Sequence, residues 1–328
     1  MTNNNTNATV PKRSSLSFLV PVAVAIAVGV AGPMLGNYAS DFVVKIMILS
    51  IFALSLELLV GTTGLVSLGH AAFYGLGAYV TVLASGNDGG NLVLLLLAAM
   101  GVAALYALFV GALSLRTRGV YFIMVTLAFA QMAFFVFHDT AVGGGSDGIY
   151  LYVRPAVGPF DMENRTVLFY VVLGALVFTY GLLALLKRSR FGAALAGIRV
   201  NEQRMRAAGF PVYGYKLAAF VLAGALAGLA GFLLASRDGV VNPELMAWHN
   251  SGEVLLMVIL GGLGHLRGAV IGAVAFTLLK EVFSTHAVMG PLADHWQLTL
   301  GIAIIVFVAL LPKGLIGLAK RLSPKGRA

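Results

Sequence analysis

The chain has 328 residues, of which 59% are hydrophobic and only 11% charged, with a mean hydropathy of +0.92. Soluble domains carry about a quarter charged residues, so this composition excludes a soluble globular protein and reads as a polytopic membrane protein. The net charge of +9 does not imply a nucleic-acid partner, because the basic residues cluster beside apolar runs as orientation signals, and the absence of cysteine excludes disulfides and thiolate metal sites.

Residues 1–16 are Asn/Thr-rich and read as a disordered cytoplasmic tail. Lys12-Arg13 ahead of the first apolar run mimics a signal peptide, but the run is long enough to remain as a span. A helix needs about 20 apolar residues to cross about 30 Å of hydrocarbon. Ser17–Leu35, Phe42–Val60, Val66–Ser85, Leu92–Leu115, Val120–Phe137, Thr166–Leu186, Leu217–Ala235 and Gln297–Leu311 meet that requirement. Leu255–Leu279 is interrupted by Gly261-Gly262-Leu263-Gly264-His265-Leu266-Arg267. Read as one span, it would put Lys313, Lys320, Arg321, Lys325 and Arg327 outside; read as two short crossings or a re-entrant pair, it returns them to the cytoplasm.

The expected fold is therefore an all-α polytopic membrane protein of about ten crossings. It includes a Gly-broken or re-entrant pair within 254–283 and has both termini cytoplasmic. Residues 17–312 form a single transmembrane domain, and 313–328 a basic cytoplasmic tail. Of the 22 basic residues, only Lys45, Arg154, Arg165, Arg237 and Lys280 then fall on the outer side. Glu57, His70 and His265 fall within apolar stretches, where an ionisable group costs about 2.5–3.5 kcal/mol, and should face protein or water.

The longest cytoplasmic connection, 187–216, holds Lys187, Arg188, Arg190, Arg199, Arg204, Arg206 and Lys216 against a single acid, Glu202. A span-to-span connection needs only a few residues, so a long helix-forming one is expected to contact something. Asn201 can cap a short helix whose dipole favours Glu202 in its first turn. Gly209-Phe210-Pro211 ends that helix, since proline disfavours helical geometry in the residue before it. Arg204 and Arg206 can donate to a protein partner or to lipid headgroups.

Within the membrane, Ser67, His70 and Tyr74 recur at helical spacing and would share one face. They can line a path for a small polar solute, or serve only as interhelical hydrogen bonds. The small-xxx-small pairs Gly224–Gly228, Gly264–Gly268 and Gly268–Gly272 read as close helix packing. Leu68-Gly69-His70 is echoed by Leu263-Gly264-His265, corresponding elements if five spans are followed by five inverted ones. Gly144-Gly-Ser-Asp-Gly148 fits a nucleophile elbow but lies in an outer loop without the strand and helix that the motif requires. No Walker A loop occurs, the six histidines lack metal-ligand spacing, and dense intramembrane acids for ion coupling are missing.

The run Gly64-Leu-Val-Ser-Leu-Gly-His-Ala-Ala-Phe-Tyr-Gly-Leu-Gly-Ala-Tyr79 resembles the signature of LivM-type permeases of branched-chain amino acid ABC importers. Further stretches are similar in order and spacing: Arg118–Gln131, Gly143–Gly148, Ile198–Gly209, Tyr215–Phe220 and Ile259–Gly268. The resemblance implies a permease of the bacterial inner membrane, paired with a LivH-like permease, two cytoplasmic ATP-binding subunits and a periplasmic substrate-binding protein. ATP would be bound by those partners, with no cofactor in this chain. Asn201, Glu202, Arg204, Ala207, Ala208 and Gly209 would form the helix that couples to the ATPase. Glu202, Ala207, Ala208 and Gly209 match an acidic-Ala-Ala-Gly pattern, spaced more widely than the tight Glu-Ala-Ala of other importers. Ser67, His70 and Tyr74 would line the substrate path.

The implied solutes are branched-chain amino acids, although importers of urea and amides use similar permeases. Three rival readings remain: a secondary transporter working alone, an intramembrane hydrolase using Ser67 and His70, and a structural anchor. The second lacks an oxyanion arrangement, and the third has no need of so many glycine-broken spans.

Overall fold

In hydrocarbon every backbone N–H and C=O must be paired within the protein, so the apolar runs fold as helices. The computed structural model describes residues 16–32, 36–86, 89–158, 160–311 and 314–317. The two tails, 1–16 and 313–328, lie outside the described residues except for Leu16 and 314–317. The helices are α1 Leu16–Ala31, α2 Asn37–Glu57, α3 His70–Ser85, α4 Leu92–Ser114, α5 Val120–Asp139, α6 Arg165–Arg188 and α7 Arg190–Val200. They continue with α8 Glu202–Ala207, α9 Val212–Asp238, α10 Trp248–Gly261, α11 Leu266–Ser284, α12 His286–Met289 and α13 Trp296–Leu310. A π turn, Leu58–Thr63, prolongs α2.

Among the described residues six helices are long and apolar enough to cross a membrane, formed by α2 with its π turn, α4, α5, α6, α9 and a segment containing α13. The chain is thus an all-α polytopic membrane protein. Helices α10 and α11 make a further candidate only as a pair, bent by 116°. The bend falls in the expected glycine run, where Gly262 and Gly264 take φ of 112° and 86°.

Helix α9 lies at the centre, against α3, α4 and α2. Glycine and alanine bring these backbones together: a methyl group at Gly224 would overlap Ala107, one at Gly228 would overlap Ala103, and one at Gly231 would overlap the Tyr74 carbonyl. Gly261 and Gly272 hold α10 and α11 in similar backbone contact. By contrast α4, α5 and α6 leave Leu94, Leu105, Tyr121, Met124, Phe178 and Leu185 exposed, the apolar face expected toward lipid.

The expected third span does not begin at Val66. Gly64, at φ 76°, closes the π turn, the chain then runs without helix to Gly69, and α3 starts only at His70. Gly69 is pressed against the backbone of Thr126 on α5, where a side chain would collide. Ser67 therefore stands outside α3 and shares no helical face with His70 and Tyr74.

The loop after α5 folds back on the end of the bundle that carries the last turn of α9. Ile149–Tyr150 pairs antiparallel with Val240–Val241, and Ala156–Val157 with Phe160–Asp161. Tyr79 donates to the Gly143 carbonyl at 3.1 Å, and Arg154 to the Arg237 carbonyl at 3.1 Å. Ser146 of the glycine loop is exposed on a 3-10 turn, without the strand-to-helix geometry of a nucleophile elbow.

Candidate functional site: a helical ledge and a charged cleft

One end of α9 carries the stretch 187–216. Lys187 and Arg188 complete α6, Lys216 lies in the second turn of α9, and two short helices fill the interval. Ser189 caps α7 by accepting from the Gly192 N–H at 3.3 Å. Helix α7 buries Gly192, Ala194, Leu195 and Ile198, which seats it on the bundle. Asn201 caps α8, its Oδ1 accepting from the Arg204 N–H at 2.9 Å. Gly209, at φ 84°, ends the helix; its N–H donates to the Arg206 carbonyl and the Phe210 N–H to the Met205 carbonyl.

Glu202 is turned toward its own chain. It accepts from Lys216 at 2.6 Å and Arg206 at 2.5 Å, with Arg118 at 3.8 Å. Partial burial pushes the Glu202 carboxyl up, but Lys216, Arg118 and Arg206 together outweigh it and hold it below the ordinary carboxylate value. The side chains of Arg204, Ala207 and Ala208 are left exposed on the other side of α8. That face of α8 thus presents two small residues and Arg204, with Glu202 as the internal brace on the other side.

Beneath α7 lies a second acid. The Glu57 side chain is fully buried at the end of α2, and its Oε1 accepts from Lys187 Nζ at 3.3 Å. Lys187 also donates to the Gly264 carbonyl at 3.3 Å, and Arg199 donates to the Gly61 carbonyl. Glu57 was legible as an intramembrane acid in need of a partner; that Lys187 supplies it could not be read, since 130 positions separate them. His265 is exposed at the start of α11, with Nδ1 3.2 Å from the Leu263 carbonyl.

At the other end of α9, a cleft of about 430 Å³ opens between α2, α10, α11 and α13, its walls including Lys45, Phe52, Tyr74, Asp238, Glu253 and Lys280. Helix α9 carries Lys216 at the ledge and Asp238 at the cleft, so most of a 27-residue helix separates them. Phe52 and Tyr74 stack at 4.5 Å to form an aromatic wall. Lys280 pairs with Glu253 at 3.0 Å and sits 5.1 Å from the Trp296 ring.

Of the three residues expected on the path, Tyr74 reaches this cleft. His70 is fully buried behind Phe52, stacked on it at 5.5 Å and edge-on to Phe73 at 5.6 Å. Its Nε2 lies 2.8 Å from Ser55 Oγ. The single Ser55 proton goes to the Phe52 carbonyl at 2.7 Å, which assigns His70 Nε2 as the donor. Ser67 is also buried, accepting from the Gly69 N–H at 3.2 Å. Ser67 and His70 are not in contact geometry for a nucleophile and base; the partner of His70 is Ser55. The charged residues of the cleft were not singled out by sequence pattern, because Lys45, Glu253 and Lys280 come from three separate helices.

The family model described as "Branched-chain amino acid transport system / permease component" matches residues 38–310. The chain is 28% identical over 320 residues to the high-affinity branched-chain amino acid transport permease LivM of Salmonella typhimurium, covering 90% of this chain and 74% of the relative. It is 29% identical over 328 residues to LivM of Escherichia coli, covering 92% and 75%. The fructose import permease FrcC of Rhizobium meliloti is 28% identical over 151 residues, 42% of each chain. No solved structure matches the chain.

Proposed function

This chain belongs to the family of branched-chain amino acid transport system permease components, and we propose from that premise that its solutes are hydrophobic amino acids moved by ATP that partner subunits hydrolyse. It is a membrane permease subunit of an importer, multi-pass and not itself an enzyme. On this reading it sits in the bacterial inner membrane with about ten crossings and both termini in the cytoplasm. Its partners are two cytoplasmic ATP-binding subunits, a second, LivH-like permease and a periplasmic substrate-binding protein; the chain needs no cofactor of its own. The grouping of basic residues supports the orientation. Arg118 meets Glu202 at the ledge, whereas Arg154, Arg165, Lys45 and Lys280 lie at the cleft end.

The observation that carries this reading is the ledge: a two-helix projection seated on the bundle by α7, braced from within by Glu202, and open along Arg204, Ala207 and Ala208. Asn201 and Gly209 start and stop α8 so that this face is held in place. An ATPase gripping it can move α7 against the bundle. The cleft supplies the outer part of the path. Its carboxylates Asp238 and Glu253 suit the ammonium of an amino acid, Lys45 and Lys280 its carboxylate, and Phe52 with Tyr74 its apolar side chain. His70 then acts through Phe52, holding the aromatic wall, with Ser67 supporting the turn into α3.

The test is uptake into proteoliposomes carrying the assembled importer. Leucine uptake that needs internal ATP and resists an uncoupler, with a cysteine at Ala208 cross-linking to the ATPase, supports the reading. Uptake that survives ATP depletion and collapses with the uncoupler points to a secondary transporter. Transport of urea in place of leucine transfers the chain to the amide importers.

A further inference from the structure

We propose that Lys187 and Arg199 transmit the movement of the ledge to the membrane path, by gripping the two places where the bundle's helices are broken at glycine. The inference rests on the reading of α7–α8 as the part an ATPase moves. Its starting point is the backbone. At the π turn after α2, the N–H groups of Gly64 and Leu65 both turn back to the Leu59 carbonyl, so the Gly61 carbonyl is left without its helical partner. At the α10–α11 bend, the first backbone bonds of α11 run to the His265 carbonyl, which leaves Gly264 in the same position. A carbonyl shielded from water and left without a donor costs free energy, and Gly61 is buried and Gly264 half-buried.

Both carbonyls are satisfied by cations of one cytoplasmic segment. Arg199, in the last turn of α7, donates to Gly61. Lys187, in the last turn of α6 and just ahead of α7, donates to Gly264 and to Glu57. The two contacts converge: a methyl group at Gly264 would stand 3.6 Å from Arg199 Nη1 and 3.9 Å from the Gly61 carbonyl. Gly61 also leaves the room that the Glu57 carboxylate occupies, since a side chain there would overlap it. Glu57 is fully buried, and its Oε2 has no hydrogen-bond partner among the described residues. The pair is thus only half satisfied, as suits a contact that must exchange partners when α7 shifts.

The consequence is mechanical. If α7 moves while these bonds hold, it draws both breaks with it. If the bonds release, two carbonyls and a buried carboxylate must find new donors together. Either way the end of α2 and the α10–α11 hairpin respond as a unit. Both lead to the cleft, through Phe52 on α2 and through Glu253 and Lys280 on α10 and α11. Lys187 and Arg199 are positioning residues here; neither lines the cleft nor lies on the open face of α8.

The experiment compares leucine uptake with ATP hydrolysis in the assembled importer for wild type, Arg199→Met, Arg199→Lys, Lys187→Met and the double variant Glu57→Gln/Lys187→Met. The double variant leaves no lone buried charge and guards against simple misfolding. The expected result is that Arg199→Met and the double variant lose about tenfold or more of the uptake per ATP hydrolysed, the loss that about 1.4 kcal/mol of coupling would give. Hydrolysis itself should stay near wild type, and Arg199→Lys should recover part of the ratio. In the same preparations, hydrogen exchange should rise at residues 58–66 and 262–268 and stay unchanged around Tyr150 and Val240. An unchanged ratio, or uptake and hydrolysis falling in parallel with the yield of complex, overturns the inference. Failure of the underlying reading shows elsewhere, as a wild-type importer whose uptake does not depend on ATP.

Discussion

Two glutamates lie at the ledge end of the bundle, and they are held in opposite ways. Glu202 is 24% exposed and shared among Lys216, Arg206 and Arg118. Glu57 is 0% exposed, and among the described residues its one ion pair is with Lys187. A carboxylate at the surface can collect several partners and exchange them cheaply, because water screens each pair. One inside the bundle has lost its water and depends on a few partners in set places. On the function proposed above, the difference separates a part of the molecule open to a partner's grip from a part placed to register it.

The largest expected effect tests that separation directly. Glu57→Ala should cost about 3–5 kcal/mol by stranding Lys187 beside an apolar interior, whereas Glu202→Ala should cost about 1 kcal/mol or less. Thermal unfolding of the purified permease in detergent measures both; equal losses would erase the distinction. Next in size is the cap: Asn201→Ala should weaken α8 by about 1 kcal/mol. It should speed amide exchange over 202–208 while leaving 48–57 as before. An effect that spread into α2 would mean the ledge is not an independent part.

The smallest effect is on pH. The Glu202 carboxyl is held below its ordinary value of 4.5 in the folded chain. Between the two values the unfolded chain binds the proton and the folded chain does not. The stabilisation is therefore complete above 4.5 and fades as pH falls through the depressed value. Limited proteolysis of the 190–216 stretch should rise on acidification in that window. Glu202→Gln should remove the dependence, and added salt should blunt it. A wild-type ledge indifferent to pH there would count against the triple pairing.

Much of the ledge was visible in advance. Asn201, Glu202 and Gly209 act on neighbours within a few residues, so cap, first turn and stop follow from local rules. The α10–α11 break was likewise written in its glycines. The path residues fared differently. Helical spacing put Ser67 with His70 and Tyr74, but the chain between Gly64 and Gly69 is not helical, because Gly69 is pinned against Thr126 of another helix. Only Tyr74 reached the cleft, and His70 found Ser55, fifteen positions earlier, instead of Ser67.

Composition, charge placement and short-range motif by themselves determined that this is a helical membrane protein with a basic handle on one side, since hydrophobic transfer and capping depend on a residue and its near neighbours. Which acid meets which lysine, where the cleft gathers its charges and how the two glycine breaks come to share one clasp were decided only in three dimensions. Those contacts join residues such as Glu57, Lys187 and Gly264, whose proximity arises when α9 and its flanking helices pack backbone to backbone.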